Sequence, residues 1–173
     1  MSQIKIVNVI ASSKLNLKIQ IEKLARSIRG AIYEPETFPG MHYRLQNNHG
    51  TVTIFASGKI VSTGTKSEIE AKNAIHNAVF EVEEILKLKL KVSKIKIENI
   101  VSTINLEKQI KIEKLTKKLI GSRLNFKEFP CIFYNYKEKA TLLIFRSGKI
   151  VSVGAKNEKN SKESLKFIKS IIG

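Results

Sequence analysis

The sequence predicts an α+β fold of two pseudo-symmetric repeats that share one antiparallel sheet, with the helices on one face of that sheet. Two observations predict it. The chain matches itself at an offset of about 91 residues, and each copy alternates strand-like with helix-like segments. Its 173 residues are enough to bury a core. We therefore expect one integrated domain, with the first repeat over residues 1–90 and the second over residues 91–173.

Short matching segments carry the repeat. Ile21-Glu22-Lys23-Leu24 recurs at residues 112–115, and Phe38-Pro39 recurs at residues 129–130. Further along, the segment IFASGKIVS of residues 54–62 returns as IFRSGKIVS at residues 144–152, now at an offset of 90. One residue has therefore been lost from the second copy. The simplest place is the turn at residues 46–50 of the first copy, since hairpin turns tolerate such changes.

Each copy predicts the same order of elements. An alternating strand over residues 4–11 precedes a helix with an apolar face of Leu17, Ile21, Leu24 and Ile28, which Gly30 ends. After a proline-containing loop over residues 33–40, three strands are expected at residues 41–45, 51–56 and 59–63, the last two joined by a Ser57-Gly58 turn. A long helix over residues 67–88 closes the copy, and the second copy has helices near residues 108–120 and 159–172.

The composition favours a polyanionic partner. The formal net charge is +16, of which residues 89–173 carry +13. On charge alone, a solvated basic surface is an equally good interpretation. There is no apolar run long enough to span a bilayer and no signal-peptide pattern, so we expect an intracellular protein without a membrane partner.

The residue types argue against an enzyme and against a cofactor. The sequence contains no Asp, and Cys131 is its one cysteine, expected to be a buried small residue. His42, His49 and His76 lack the spacing of a metal site or a catalytic triad, and no glycine-rich phosphate loop is present.

The strands are apolar on both faces, although the predicted helices can cover only one. If Val52 and Ile54 face the helices, then Thr51, Thr53 and Phe55 face away from them. An uncovered apolar face in a basic protein indicates a ligand that is anionic at its edges and apolar inside. The minor groove of DNA fits that description.

The chain resembles the TATA-box-binding protein family over essentially its whole length. The resemblance rests on two copies of F-P followed about seventeen residues later by I-F-x-S-G-K-I-V-x-x-G-x-K, each preceded by N-[IV]-[IV] on a strand. It is closest to an archaeal-type core, placed in an archaeal cytoplasm or nucleoid, or in a nucleus if the source is eukaryotic. The resemblance implies a saddle: one continuous curved sheet whose concave face lies on the minor groove, with four helices on the convex face.

The resemblance also implies roles for individual residues. Phenylalanine wedges that kink the DNA match Phe38 with Phe55 and Phe129 with Phe145; the alternative for each is an ordinary core aromatic. The asparagines that donate to A·T acceptors match Asn8 and Asn99, against the alternative of an Asn satisfied by neighbouring backbone groups. Other contacts to the groove floor are implied for Ile10, Thr53, Val61, Thr63, Val101, Leu143, Val151 and Val153. Thr63 matches a hydroxyl contact that Val153 cannot make.

Phosphate contacts and a protein partner complete the implied function. The phosphate contacts are Arg44, Lys59, Lys66, Lys149 and Lys156. The stirrup loops carry Glu34 and Glu36 in the first copy but Lys127 and Glu128 in the second, where the family's acidic loop docks transcription factor B. Lys127 therefore predicts altered recruitment of a factor B-like protein.

Two functions remain to be compared. The leading one is a general transcription initiation factor that binds A·T-rich (TATA) promoter DNA, kinks it and nucleates the preinitiation complex. The alternative is a paralogue with altered factor B recruitment, which acts as a regulatory or structural module on DNA or on another ligand. In either case the free protein is expected to form a homodimer through its uncovered sheet face.

Overall fold

The computed structural model describes residues 3–44, 50–125 and 130–173. Over these residues the chain forms four α-helices and one antiparallel sheet of nine strands, which confirms the predicted α+β class. The chain divides into two compact units. One is Asn8–Glu98, and the other joins Asn99–Gly173 to the first residues of the chain through Val7.

In the unit Asn8–Glu98 the strand order is β2-β3-β4-β1, every neighbour antiparallel. The second unit repeats the arrangement as β5-β9-β8-β7-β6. The elements that lie mainly in the unit Asn8–Glu98, called the first unit below, are β1 (Lys5–Lys14), α1 (Ile21–Ser27), β2 (Gly40–Arg44), β3 (Thr51–Phe55), β4 (Lys59–Thr65) and α2 (Glu68–Leu86). Those of the second are β5 (Lys96–Asn105), α3 (Ile112–Lys118), β6 (Arg123–Asn125), β7 (Cys131–Tyr136), β8 (Ala140–Phe145), β9 (Lys149–Ala155) and α4 (Glu158–Ile172).

Each unit has its own core between its sheet and its long helix. In the unit Asn8–Glu98, Val52, Ile54 and Ile60 are fully buried, and the Ser62 hydroxyl donates to the Ala71 carbonyl of α2 at 3.0 Å. In the other unit, a cluster around Ile132, Leu142 and Leu165 fills the equivalent space between the sheet and the long helix, and Ile4 packs against this cluster. Both helices thus lie on one side of their own strands.

The two long helices start at side-chain caps. Ser67 accepts a hydrogen bond from the backbone N–H of Glu70 at 3.1 Å, and Asn157 accepts one from Asn160 at 2.8 Å. The Glu70 carboxylate in turn accepts a hydrogen bond from the backbone N–H of Lys66. Side chains thus satisfy two backbone donors at the start of α2, those of Lys66 and Glu70. These caps fix where α2 and α4 begin, directly after β4 and β9.

Several boundaries differ from the sequence prediction. Strand β1 continues to Lys14, and α1 begins at Ile21, so Leu17 precedes the helix. The reason is the backbone: Leu15 N–H donates to Gly58 and Ile19 N–H to Ala56, which keeps this segment against the β3–β4 turn. Strand β6 was not predicted. The proposed indel lies in a turn of which residues 46–49 are outside the described part of the chain.

Candidate nucleic-acid interface

The side of each sheet that faces away from the long helix is called the outward face here. In the unit Asn8–Glu98, Val52, Ile54, Ile60 and Ser62 point to α2 and are fully buried. The alternate residues lie on the outward face, and most of them are half-buried: Asn8, Ile10, Thr51, Phe55, Val61 and Thr63. In the other unit, the half-buried residues at the same places are Asn99, Val101, Thr141, Leu143, Phe145, Val151 and Val153. Each outward face is therefore mainly apolar, with one amide near its middle.

A β-bulge sets the position of each amide. Between Val9↔Thr65 and Ala11↔Ser62 the pairing of β1 with β4 gains one extra residue on β4, where Gly64 has a φ of +84°. This left-handed backbone conformation favours glycine. The bulge turns the Gly64 N–H toward Asn8, whose Oδ1 accepts it at 2.7 Å. The local sequence Thr63-Gly64 thus creates a backbone donor for the asparagine.

The second unit repeats this geometry. The pairing of β5 with β9 shifts between Ile100↔Ala155 and Ser102↔Ser152, and Gly154 has a φ of +85°. Its N–H donates to Oδ1 of Asn99 at 2.7 Å. Because a backbone N–H can bond only the oxygen of the amide, the orientation of both side chains is determined. Within the described residues, Nδ2 of neither asparagine has a hydrogen-bond acceptor, so both amides present donors outward.

The two bulges differ in one hydroxyl. Thr63 Oγ1 lies 3.5 Å from Oδ1 of Asn8, at the long end of hydrogen bonding. Val153 stands at the same place beside Asn99 and has no hydroxyl to offer. The outward faces are therefore chemically unequal at this point.

Phe38 and Phe55 lie together at one end of the outward face, their ring centroids 5.8 Å apart. Gly40 makes room for them, because a Cβ at Gly40 would approach Phe38 to 2.7 Å and Phe55 to 3.0 Å. Phe38 also stacks on His42 at 4.6 Å and keeps 39% of its surface exposed. These rings are thus at the protein surface and are not core aromatics.

Thr53 is less accessible than the sequence predicts. It lies on the outward face as expected, but it is only 7% exposed. Its Oγ1 shares a 2.9 Å hydrogen bond with Nδ1 of His42, the residue opposite it on β2. His42 therefore covers Thr53 and takes its place on the surface.

In the second unit Phe145 lies on the outward face, paired across the strands with Cys131. Cys131 is fully buried, as expected, and burial raises the pKa of its thiol. Phe129, the expected partner of Phe145, lies outside the described residues.

The cations expected to contact phosphate are all exposed. Arg44 lies opposite Thr51 at the end of β2, and Lys59 and Lys149 start β4 and β9. Lys66 and Lys156 each directly precede the N-cap of a long helix. Their positions place cationic side chains at the ends of strands in both units.

Comparison with known proteins identifies the family. A family model described as "Transcription factor TFIID (or TATA-binding protein, TBP)" matches residues 3–85 and 94–173. The chain belongs to the TATA-box-binding protein family. The TATA-box-binding protein of Methanocaldococcus jannaschii is 36% identical over 96% of this chain and 91% of its own length. The relative from Picrophilus torridus is 33% identical over 98% of this chain and 94% of its own length.

A solved structure agrees with the sequence matches. The structure titled Methanococcus jannaschii TBP matches with a TM-score of 0.79 and 36% identity, covering 98% of each chain. The fold of this chain is therefore that of the TATA-box-binding protein family, as the resemblance predicted.

The stirrup positions of this family member are only partly described. Glu34 and Glu36 are exposed in a turn in which Thr37 and Phe38 donate their N–H groups to the Glu34 carbonyl. Lys127 and Glu128 lie outside the described residues. In the first unit the preceding segment makes an isolated bridge, Ile32↔His42, where the second unit has strand β6.

Sequence reasoning missed two outward residues of this family member. His42 and Phe133 lie at matching places on β2 and β7, on the same side as Thr53 and Leu143. Alternation along β2, counted from Arg44, and the offset of 91 would have found both.

Among the described residues no group of three or more His, Cys or Glu could hold a metal ion. In the same part of the chain, no helix is both long and apolar enough to cross a bilayer.

Proposed function

We propose that this chain is a general transcription initiation factor that binds the minor groove of A·T-rich promoter DNA, kinks it with phenylalanine wedges and nucleates preinitiation complex assembly. The relatives it matches are named TATA-box-binding proteins and come from archaea, which favours this role over that of a paralogue with another ligand. In an archaeal cell this protein would act on the chromosomal DNA.

The single observation that carries the proposal is the pair of anchored amides. Asn8 and Asn99 each commit their oxygen to a backbone N–H and present Nδ2 outward from an apolar face. The minor groove of A·T pairs offers only acceptors, N3 of adenine and O2 of thymine, whereas a G·C pair adds an amino donor. Two outward donors therefore fit A·T pairs.

The apolar residues around each amide suit the sugars and base edges of the groove. Each of the repeats 1–90 and 91–173 is proposed to contact part of the A·T box through its own outward face. The floor contacts are Ile10, Thr53, Val61 and Thr63 in the first repeat and Val101, Leu143, Val151 and Val153 in the second. Because Thr53 is covered by His42, we propose that His42 moves or makes this contact itself.

The wedges are proposed to be Phe38 with Phe55, and Phe129 with Phe145. Inserting apolar side chains between base steps unstacks them and kinks the duplex; the kink of about 80° known for TATA-box-binding proteins is itself an example of this effect. Phosphate contacts from Arg44, Lys59, Lys66, Lys149 and Lys156 then hold the bent duplex without sequence preference.

A fluorescence-transfer bending assay tests the proposal. The end-to-end distance of a labelled duplex is measured with a TATA box and with a G·C-rich box of equal length. We expect bending of the TATA duplex only. Replacing Phe55 and Phe145 by Ala should abolish bending and leave salt-sensitive binding. The control is Phe80→Ala, which removes a phenylalanine that is 61% exposed on α2. Equal bending of both duplexes, or bending that survives in the double variant, would contradict the proposal.

The protein partner is proposed to be a factor B-like protein that contacts the second stirrup. Because Lys127 stands where the family has an acidic residue, we expect an ordinary factor B to bind this chain weakly on DNA. Lys127→Glu should strengthen ternary complex formation in a mobility-shift titration, and Lys23→Glu is the control for an equal charge change on α1. If neither change affects recruitment, Lys127 has no role in it.

The homodimer is proposed for the DNA-free protein alone. Residues such as Ile10, Val61 and Val151 keep apolar surface on the outward faces, which a second copy can cover. Sedimentation velocity should show a dimer that dissociates when TATA duplex is added. A monomer at micromolar concentration without DNA would contradict this part.

A further inference from the structure

A groove at the end of β1 in the unit Asn8–Glu98 collects basic and hydroxyl side chains. We call it the lysine groove and define it by Lys14, Lys59, Lys94 and Lys96 with Ser57 and Ser93; its volume is about 320 Å³. Ser12, Ser13 and Glu98 complete the lining. Four ammonium groups thus surround a site with one carboxylate, and the Glu98 carboxylate accepts a hydrogen bond from the Ser12 hydroxyl.

Two of these lysines are direct cross-strand partners. Lys14 on β1 lies opposite Lys59 on β4. Like charges directly opposite in an antiparallel pair repel and destabilise it. At the matching place in the second unit the pair is Asn105↔Lys149, which carries one charge. The like-charge pair is therefore a feature of one unit only, and an anion between the two ammonium groups would relieve its repulsion.

The other two lysines come from a segment that is hydrogen-bonded to β1. Ser93 N–H donates to the Lys14 carbonyl at 2.9 Å, and Lys14 N–H donates back to Oγ of Ser93 at 3.0 Å. The Ser13 hydroxyl donates to the Ser93 carbonyl at 2.7 Å, and Leu15 pairs with Val92. This backbone is fixed before any ligand arrives, so little backbone conformational entropy is lost when Lys94 and Lys96 bind an anion.

The lining indicates which anion. None of its nine residues is apolar or aromatic, so the groove has neither an anchor for a hydrophobic side chain of a protein segment nor a platform for an unstacked base. Ammonium groups and serine hydroxyls are the usual side-chain ligands of backbone phosphates.

We infer that the lysine groove binds backbone phosphates of the DNA duplex, so that Lys14, Lys94 and Lys96 extend the phosphate contact made by Lys59. This inference rests on the proposed function. It adds a phosphate contact within the unit Asn8–Glu98, where Lys14 stands at the place of Asn105 in the second unit.

The test is the salt dependence of binding to a TATA duplex. The groove variant carries Lys14→Gln, Lys94→Gln and Lys96→Gln. The control variant carries Lys114→Gln, Lys117→Gln and Lys118→Gln on α3, for the same change in charge. Each lost phosphate contact lowers the slope of log affinity against log salt by about 0.9. We expect the slope of the groove variant to fall by about 2 to 3 relative to the control.

Several outcomes would overturn the inference. Equal slopes for the two triple variants would do so. A second contradicting outcome is a groove variant that no longer binds a polyglutamate peptide but keeps the same slope with the duplex. That outcome would assign the groove to a protein partner. If thermal melting shows that the groove variant is poorly folded, the single variant Lys14→Asn is tested in its place. It introduces the residue type that the second unit has at this place, Asn105, and should lower the slope by about 0.9.

The bending assay keeps the two proposals apart. If the unmodified protein fails to bend TATA DNA, the proposed function fails. The slopes of the groove and control variants still decide whether the groove binds phosphate. If bending is present and the slopes are equal, only the groove inference fails.

Discussion

Gly64 donates its backbone N–H to Oδ1 of Asn8 at 2.7 Å, so a bulge in one strand determines which end of the amide of its neighbour faces outward. The oxygen is used inside the protein, and the amino group is left for the proposed contact with DNA. The structural role of this side chain and its proposed role in recognition can therefore be separated by mutation.

Asn8→Asp should keep the fold and lose recognition. A carboxylate still accepts the Gly64 N–H, but it cannot donate to an A·T acceptor and it adds negative charge toward the phosphates. We expect the affinity for a TATA duplex to fall by about tenfold or more, with a change in melting temperature of only a few degrees. Fluorescence anisotropy and thermal melting measure the two effects.

The control for this prediction is Asn157→Asp. Asn157 also accepts a backbone N–H, from Asn160, but it does so at the N-cap of α4. It undergoes the same change in charge and should bind DNA almost normally, since Asp is also a good N-cap. Equal losses in both variants would mean that charge alone explains the effect.

Gly40→Ala should disturb the phenylalanine pair. The new Cβ would lie 2.7 Å from a carbon of the Phe38 ring and 2.8 Å from Cγ2 of Thr53. Both must move, so we expect a loss of about 1–3 kcal/mol in the free energy of unfolding and weaker DNA bending. Urea denaturation and the bending assay measure these effects.

Gly121→Ala is the matched control for strain without crowding. A Cβ there meets nothing within 4 Å, although the φ of +81° disfavours it. If Gly121→Ala weakened DNA bending as much as Gly40→Ala, contact with the rings would not be the cause.

Tyr43→Phe should leave stability unchanged or increase it. The Tyr43 hydroxyl is buried and has no hydrogen-bond partner in the described part of the chain. Leaving such a group unpaired costs about 1–3 kcal/mol, which phenylalanine avoids. The free energy of unfolding, measured in urea, should therefore rise by up to about 1 kcal/mol. A large loss would show that the hydroxyl is bonded.

Tyr43 also predicts a loss of stability in alkali. Burial, and next the Glu81 carboxylate, raise the pKa of Tyr43 well above its usual value near 10. The folded protein then holds this proton more tightly than the unfolded chain does, so stability falls as the pH rises above about 10. Tyr43→Phe should reduce the fall. Tyr134→Phe, at the half-buried equivalent position, is the control.

Glu83 predicts a loss of stability in acid. Its carboxylate accepts the backbone N–H of Leu90 at 2.7 Å and lies 3.3 Å from Nζ of Lys89. The Leu90 hydrogen bond first, and then the Lys89 charge, lower the pKa of Glu83 below its ordinary value of 4.5. The stabilisation is complete above that value and is lost as the pH falls through the lower pKa of the folded state.

Denaturant midpoints measured from pH 7 down to pH 3 test this prediction. Glu83→Gln should lower the midpoint at neutral pH and flatten its fall in acid. Glu84→Gln, which removes the neighbouring and more exposed carboxylate, should change neither. An unchanged acid profile for Glu83→Gln would show that this contact does not stabilise the folded state.

The fold and most of the outward face were predictable because they depend on short-range patterns. Alternation along β3 and β4 placed Val61 and Phe55, and the repeat transferred the same places to Val151 and Phe145. The contact between His42 and Thr53 was not predictable, since it depends on the register of β2 with β3. Nor did the composition indicate the bulges at Gly64 and Gly154, where φ is positive and the chain gains an extra residue.

Strand β6 escaped prediction for a related reason. Its three residues, Arg123–Asn125, are too few to show alternation. At the matching place the first copy has Pro35 two residues after Tyr33 and a turn from Glu34 to Thr37. A proline lacks the N–H that a strand pair needs, so pairing there is limited to the isolated bridge at Ile32.

The chain's own beginning belongs with its later half: the residues through Val7 group with Asn99–Gly173, and Ile4 packs against the Ile132 cluster. A cut between the two sequence repeats would therefore not release two self-sufficient fragments. A polypeptide that starts at Asn8 should melt first around α3 and α4, far along the chain from the missing segment, and adding the excised peptide back should restore protection from hydrogen exchange there.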